Sequence, residues 1–188
     1  PVLYDDDQAF EELESVADYF LVHNRQIYAP LDDSVVTVIH NKPRLIRRSR
    51  GYVPEPIHCE LSGQSPILAM GSDLKNAFAM NKGSEVLVGP HIGDLQNAST
   101  HATLEWTIDR YEELFSIQPE KIIVDSHPQF FSSHLGERIG KSAQIPVISV
   151  QHHHAHIASV MAEHNLEGPV LGIAMDGTGY GPDGTVWG

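Results

Sequence analysis

The alternation of apolar and polar positions breaks at a proline-rich stretch, residues 53–66 (VPEPIHCELSGQSP), which has little periodicity of its own. Before it, QAFEELESVADYF has an acidic, helix-like pattern, and FLVHNRQI, SVVTVI and RLIRRS read as short strands between Pro and Asp turns, as at a sheet edge. From Pro66 the pattern changes to strands PILAMGS, NAFAM and EVLVG, then a long helix on which Leu104, Ile108, Tyr111 and Phe115 recur at helical spacing. A strand ending at Asp125 (KIIVDSHP), a helix (FFSSHLGERIGKS), a strand (IPVISV), a histidine-rich helix and a strand (PVLGIAM) follow. The pattern predicts a sheet edge before a linker over 56–65 and α/β layers after it, with residues 1–55 and 66–188 in separate domains. Ligands of open parallel sheets gather at strand carboxyl ends, a rim that here collects Asp125, His127, His152 and Asp176. PILAMGSDLKNAFAM and PVLGIAMDGTGYG also echo one another, each an apolar strand leading into a turn of small and acidic residues.

The segment QHHHAHIASVMAEH, 151–164, holds four histidines in five positions. Wound at roughly 100° per residue, residues 152–166 place His152, His156, Ser159 and Glu163 on one stripe, and apolar residues cover most of the remainder. The pattern predicts a buried helix with one polar line. Unpaired buried polar groups cost about 1–3 kcal/mol each, and a cation satisfies several imidazoles together. The i, i+4 spacing lets His152 and His156 reach one ion, and Asp176 is the natural third ligand, leaving open positions for water or substrate. His153 and His154 point elsewhere, to contact a phosphate or to pack and hydrogen-bond, and Glu163 fits a solvated position. The residues between the spaced histidines are HHA, without the adjacent Glu base of helical metalloproteases.

Charge narrows the classes further. A formal charge of -13 argues against nucleic acid as the principal partner, since backbone affinity rests on Lys and Arg. KPRLIRRSR, 42–50, concentrates five of the twelve basic residues and suits one small anion. A single cysteine, Cys59, allows no internal disulfide. No apolar run approaches the ~20 residues of a membrane span, and PVLYDDDQAF does not read as a secretory signal, so the expected location is the cytoplasm.

DGTGYGPDG, 176–184, has four glycines and two aspartates, the composition of either a hairpin loop or a phosphate cradle. Beside a candidate cation, Gly177, Thr178 and Gly179 are read as cofactor-binding. GSDLKN supplies Lys75 and Asn76 as candidate catalytic donors to an anionic or carbonyl-bearing ligand, without Walker spacing.

DDSVV, RRSRGYVPEPI, GSDLKN, PHIGDL, DSHP, VQHHHAHIASVMAEH and DGTGYGPDGTVWG, in this order, resemble the HypF hydrogenase maturation carbamoyltransferases over nearly the whole chain. The resemblance implies the end of a YrdC-like α/β domain at the start of the chain. It implies after the linker the first half of a Kae1-like domain of the actin and sugar-kinase (ASKHA) fold. It further implies conversion of carbamoyl phosphate and ATP, with Mg, to carbamoyl-adenylate, and transfer of the carbamoyl group to the C-terminal cysteine of a HypE-type acceptor protein. By the same resemblance His152, His156 and Asp176 would hold a divalent metal, zinc or iron, and Ser34, Arg47, Arg48 and Arg50 would line the adenylate-forming pocket. QIYAPLDDSV departs from the pattern, with Ala29-Pro30-Leu31 where an arginine is expected. The family's other modules lie outside the chain, so it reads as a piece of a longer protein. A tRNA threonylcarbamoyl-transfer relative and a non-catalytic metal-dependent binding module are the alternative readings.

Overall fold

A computed structural model describes residues 3–60 and 65–188. After a capped helix, α1 (Asp6–Leu13), come a hairpin of β1 (Val35–Ile39) and β2 (Lys42–Arg47) and a short strand β3 (Ile57–His58). The hairpin turns through His40 and Asn41, both at positive φ, as a two-residue loop matched to strand twist requires. Then follow β4 (Ile67–Ala69), β5 (Ala79–Lys82), β6 (Glu85–Val88), α2 (Ala98–Phe115), β7 (Lys121–Asp125), α3 (Phe131–Ala143), β8 (Val147–Val150) and α4 (His152–Glu163). Two short strands, β9 (Gly179–Tyr180) and β10 (Val186–Trp187), pair with each other at the end.

The main sheet is mixed, with order β3-β6-β5-β4-β7-β8. β4, β7 and β8 run parallel to one another, while β5, β6 and β3 form an antiparallel extension from β4. Leu68, Ile122 and Val124 from the parallel strands are buried with Phe78, Met80 and Leu87, under Leu104, Ile108 and Tyr111 of α2 and Leu135 of α3. Gly136 and Gly140 allow α3 its close approach: a Cβ at the first would sit 2.5 Å from Val124, and at the second 2.3 Å from Val147. Strand alternation turns Ile123 and Asp125 away from α3, and both line a pocket shared with α4.

Several elements depart from the sequence pattern. FLVHNRQI forms no strand, and α1 stops at Leu13. Part of the expected linker is structural: Ile57 and His58 pair with Val86 and Glu85, while residues 61–64 of that stretch lie outside the described residues. PVLGIAM makes no strand, leaving β8 at the sheet edge, so the echo with PILAMGS does not extend to secondary structure. The histidine helix is not buried either. None of its residues is fully covered, because the apolar side bearing Ile157, Ala158 and Met161 packs on the irregular segment around Gly172 and lines an open groove of about 630 Å³ that reaches Trp187. The hairpin β1–β2 is likewise exposed at every position except Arg47.

On α2, burial followed by repulsion from Asp109 raises the Glu112 carboxyl above its ordinary value of 4.5. Its charged form is disfavoured in the fold, so a destabilising contribution appears as pH climbs through 4.5 toward the folded-state value and is absent below. Glu112→Gln is therefore expected to raise the thermal midpoint at neutral pH and to lose that advantage below about pH 4, measured by melts across the range.

Candidate metal centre

α4 begins one residue after β8, and Gln151 sets the connection. Its Oε1 accepts from His154 N–H (2.9 Å) as the helix N-cap, and its Nε2 donates to Tyr180 O (3.1 Å) and lies 3.0 Å from His153 Nδ1. One side chain thus ties the start of the helix to the glycine turn. Asp176 enters from that turn. Its Oδ1 accepts the Gly177 N–H at 2.7 Å, while its Oδ2 is buried and accepts no hydrogen bond. The Gly177 N–H first, and the neighbouring imidazoles after it, hold this carboxyl below the usual aspartate range against the opposing effect of burial.

Three atoms converge at this point. His152 Nε2 lies 2.9 Å and His156 Nε2 3.3 Å from Asp176 Oδ2, and the two nitrogens are 3.3 Å apart. An ion about 2.1 Å from each of two ligands separates them by about 3.0 Å at a right angle and about 3.4 Å at the tetrahedral angle. The two 3.3 Å sides lie within these limits and the 2.9 Å side just below the right-angle value, so the donor set fits a divalent cation. The proton inventory points the same way. His152 Nδ1 lies 2.6 Å from Asp125 Oδ2, and donation of its N–H there leaves Nε2 as a bare lone pair facing a carboxylate oxygen. Two acceptors that close need a cation, or an imidazolium, between them.

Asp125 completes the arrangement. Its Oδ1 accepts the His127 N–H (2.8 Å), its backbone carbonyl accepts from Ser133 Oγ (2.8 Å), and its Oδ2 fixes the tautomer of His152. The sequence places Asp125 on the rim but gives it no role; an acidic residue ending a buried strand was the available signal. Removing such an outer partner typically costs ~10–100-fold in metal affinity. Asp125→Asn is expected to weaken binding of Co²⁺ by that amount with little loss of bound-state colour, as followed by visible titration.

His152, His156, Asp125, Lys75 and Asn76 all line one pocket of about 450 Å³. Lys75, in the left-handed region at φ 50°, is held by its N–H donating to Asp94 Oδ1 and leaves its ammonium exposed. Asn76 is buried, and both amide hydrogens of Nδ2 go to backbone carbonyls, of Met70 (2.9 Å) and Ser72 (2.7 Å). It therefore braces the turn and offers no free donor, whereas the sequence reading made it one.

The glycine turn is not an open cradle. Gly179 is buried because the His153 ring lies where a Cβ would stand, 2.5 Å away; Gly177 faces open space, and Thr178 is exposed. His153 also stacks on Trp187, while His154 remains exposed. The four residues ascribed to an adenylate pocket do not line the pocket at α4. Ser34 Oγ donates to Arg50 O and accepts from Ser49 N–H. Arg47 pairs loosely with Asp32 (3.7 Å) and Arg50 with Asp33 (3.5 Å). Arg48 donates to the carbonyls of Tyr52 (2.9 Å) and Glu55 (2.6 Å), holding the chain that leads into β3. Among the described residues no helix is long and apolar enough to cross a membrane.

The model of the HypF Kae1-like domain family matches residues 62–163. Curated relatives named carbamoyltransferase HypF include one from Synechocystis, 45% identical over 188 residues, and one from Rhizobium leguminosarum bv. viciae, 41% identical over 188 residues. Each match covers all of this chain and 24% of the relative, so the chain spans about a quarter of their length. Among solved structures, a full-length HypF in a phosphate- and nucleotide-bound form superposes with TM-score 0.91 at 46% identity, covering all of this chain and 29% of that one. HypF of T. kodakarensis does so with TM-score 0.91 at 41% identity, over 24% of its length. With the mixed sheet and the His-His-Asp triangle at its rim in place, the match over more than half of the chain settles its kinship: it belongs to the HypF family, in the region of the Kae1-like domain.

Proposed function

We propose that this chain is the part of an ATP-dependent carbamoyltransferase of [NiFe]-hydrogenase maturation that carries out carbamoyl transfer, using carbamoyl phosphate and ATP by way of carbamoyl-adenylate. In this reading residues 66–188 belong to the Kae1-like transfer domain and residues 1–55 to the end of the YrdC-like adenylate-forming domain, joined across 56–65, and the protein works in the cytoplasm. The observation that carries the proposal is the convergence of His152 Nε2, His156 Nε2 and Asp176 Oδ2 beside a pocket lined in part by Lys75, in a chain of this family.

In the transfer, an acceptor thiolate attacks the carbamoyl carbon, a C–S bond forms, the C–O bond to the adenylate phosphate breaks, and AMP leaves with the electron pair. A zinc or iron ion held by His152, His156 and Asp176 would supply Lewis-acid polarisation of a bound oxygen. Lys75 contributes a charge that attracts phosphate at the pocket mouth. Asp125 holds His152 in one orientation throughout, and Asn76 keeps the turn bearing Lys75 in shape. The acceptor is a HypE-type protein with a C-terminal cysteine.

The test follows radiolabel from carbamoyl phosphate in the complete polypeptide with ATP, offering the cysteine-terminated acceptor and tRNA side by side. Label on the protein thiol supports the proposal. Label on tRNA favours the threonylcarbamoyl-transfer reading, and label on neither, with metal bound, favours a binding module.

A further inference from the structure

α3 has a start that its own sequence does not supply. Its N-cap position is Phe130, whose side chain accepts nothing, so the first N–H groups of the helix need an acceptor from elsewhere. Asp73 provides it from the turn between β4 and β5. Its Oδ2 accepts the Phe131 N–H at 2.7 Å and its Oδ1 the Ser132 N–H at 2.9 Å, a two-pronged cap with the carboxylate at the positive end of the helix. The Asp73 carbonyl also accepts the Leu95 N–H at 2.8 Å, fixing the loop that supplies Asp94 to the Lys75 backbone.

The first turn of α3 leads back to the metal centre. Ser133, next to the capped Ser132, donates through Oγ to the carbonyl of Asp125, and the Phe130 ring stacks on His127, whose N–H binds Asp125 Oδ1. Asp125 in turn holds His152 Nδ1. A continuous set of short contacts therefore runs from the turn carrying Lys75 and Asn76, through the start of α3, to the carboxylate that orients the His152 ring.

We propose that Asp73 is a positioning residue for the metal centre: by capping α3 across 58 residues of chain it locks the Lys75–Asn76 turn and the Asp125–His152 pair into one frame. This inference rests on His152, His156 and Asp176 binding a cation. A cap that acts only on stability would be interchangeable with any other, and α2 offers the comparison. Asn97 Oδ1 caps α2 by accepting the Thr100 N–H (3.0 Å); the first turn of α2 reaches the start of α3 through the His101 ring stacked on Phe131, and the hydrogen bonds to Asp125 come instead from His127, Ser133 and His152.

The experiment measures Co²⁺ affinity by visible titration, together with the thermal midpoint, for the complete polypeptide and for Asp73→Ala, Asp73→Asn and Asn97→Ala. All three substitutions should lower the midpoint. Only those at Asp73 should weaken Co²⁺ binding, by about 3–10-fold, since Asp73 acts one step further out than the partners whose loss costs ~10–100-fold. Asp73→Asn keeps one acceptor oxygen and should fall between the wild-type protein and Asp73→Ala; if the alanine variant does not fold, it decides the matter alone. Equal affinity in the Asp73 variants and the wild type, or an equal loss in Asn97→Ala, overturns the inference while leaving the metal reading intact. Failure of the wild-type protein to take up Co²⁺ overturns both.

Discussion

Replacing His152 by alanine is expected to lower the affinity for a divalent cation by at least about 100-fold, beyond the ~10–100-fold typical of losing an outer partner. His152 is bound on both sides of its ring: Nδ1 by Asp125 and Nε2 toward Asp176 and His156. Its removal takes away a candidate ligand and leaves two carboxylates facing a gap. His156→Ala is expected to cost less, because that side chain is 53% exposed against 19% for His152, and no carboxylate on its far side fixes its ring. His153→Ala is the internal control. His153 packs over Gly179 and against Trp187, so its loss should loosen the glycine turn and leave metal content near the wild-type value. Metal content by elemental analysis and Co²⁺ titration of the three variants checks the order. Equal retention in His152→Ala and His153→Ala would sink the ligand assignment.

Phe78→Ala is the second large effect, and it concerns stability. Phe78 is fully buried, meets Tyr111 of α2 edge-on with centroids 5.1 Å apart, and fills the space above Gly89, where a Cβ would stand 2.5 Å from the ring. Removing the ring should cost about 3–5 kcal/mol, a large share of the ~5–15 kcal/mol that holds a typical domain together. Gly89→Ala alone should also destabilise, by overpacking against the same ring. In the double variant the alanine methyl enters the vacated space, so the combined loss should be smaller than the sum. Denaturant unfolding of the two single variants and the double variant measures the coupling; strictly additive losses would contradict the packing described.

The central layers of the fold are legible in sequence because their residues obey local rules. Leu104, Ile108 and Tyr111 repeat at helical spacing and do face the core. KIIVD alternates burial as a strand should, with Ile122 and Val124 inward. The periphery misleads because periodicity records what a segment could bury, not what lies beside it. PVLGIAM has the composition of a core strand, yet among the described residues no strand pairs with it, and Leu171 and Met175 are exposed. The apolar side of α4 borders an open groove for the same reason. The opposite error occurs at Ile57 and His58, where a proline-rich surrounding hides two residues that complete the sheet edge.

The amino-acid order by itself determined that two imidazoles one helical turn apart, and a carboxylate after the next apolar run, were available to a single cation, because i, i+4 geometry is a property of any helix. The family motifs were equally local. Only the tertiary structure decided that Asp125, 27 residues before His152, orients its ring, that Asp73 caps a helix 58 residues away, and that the amide of Asn76 is committed to backbone carbonyls. Those roles rest on hydrogen bonds between segments brought together by burial of the sheet, and no pattern along the chain encodes which of its many polar residues will meet.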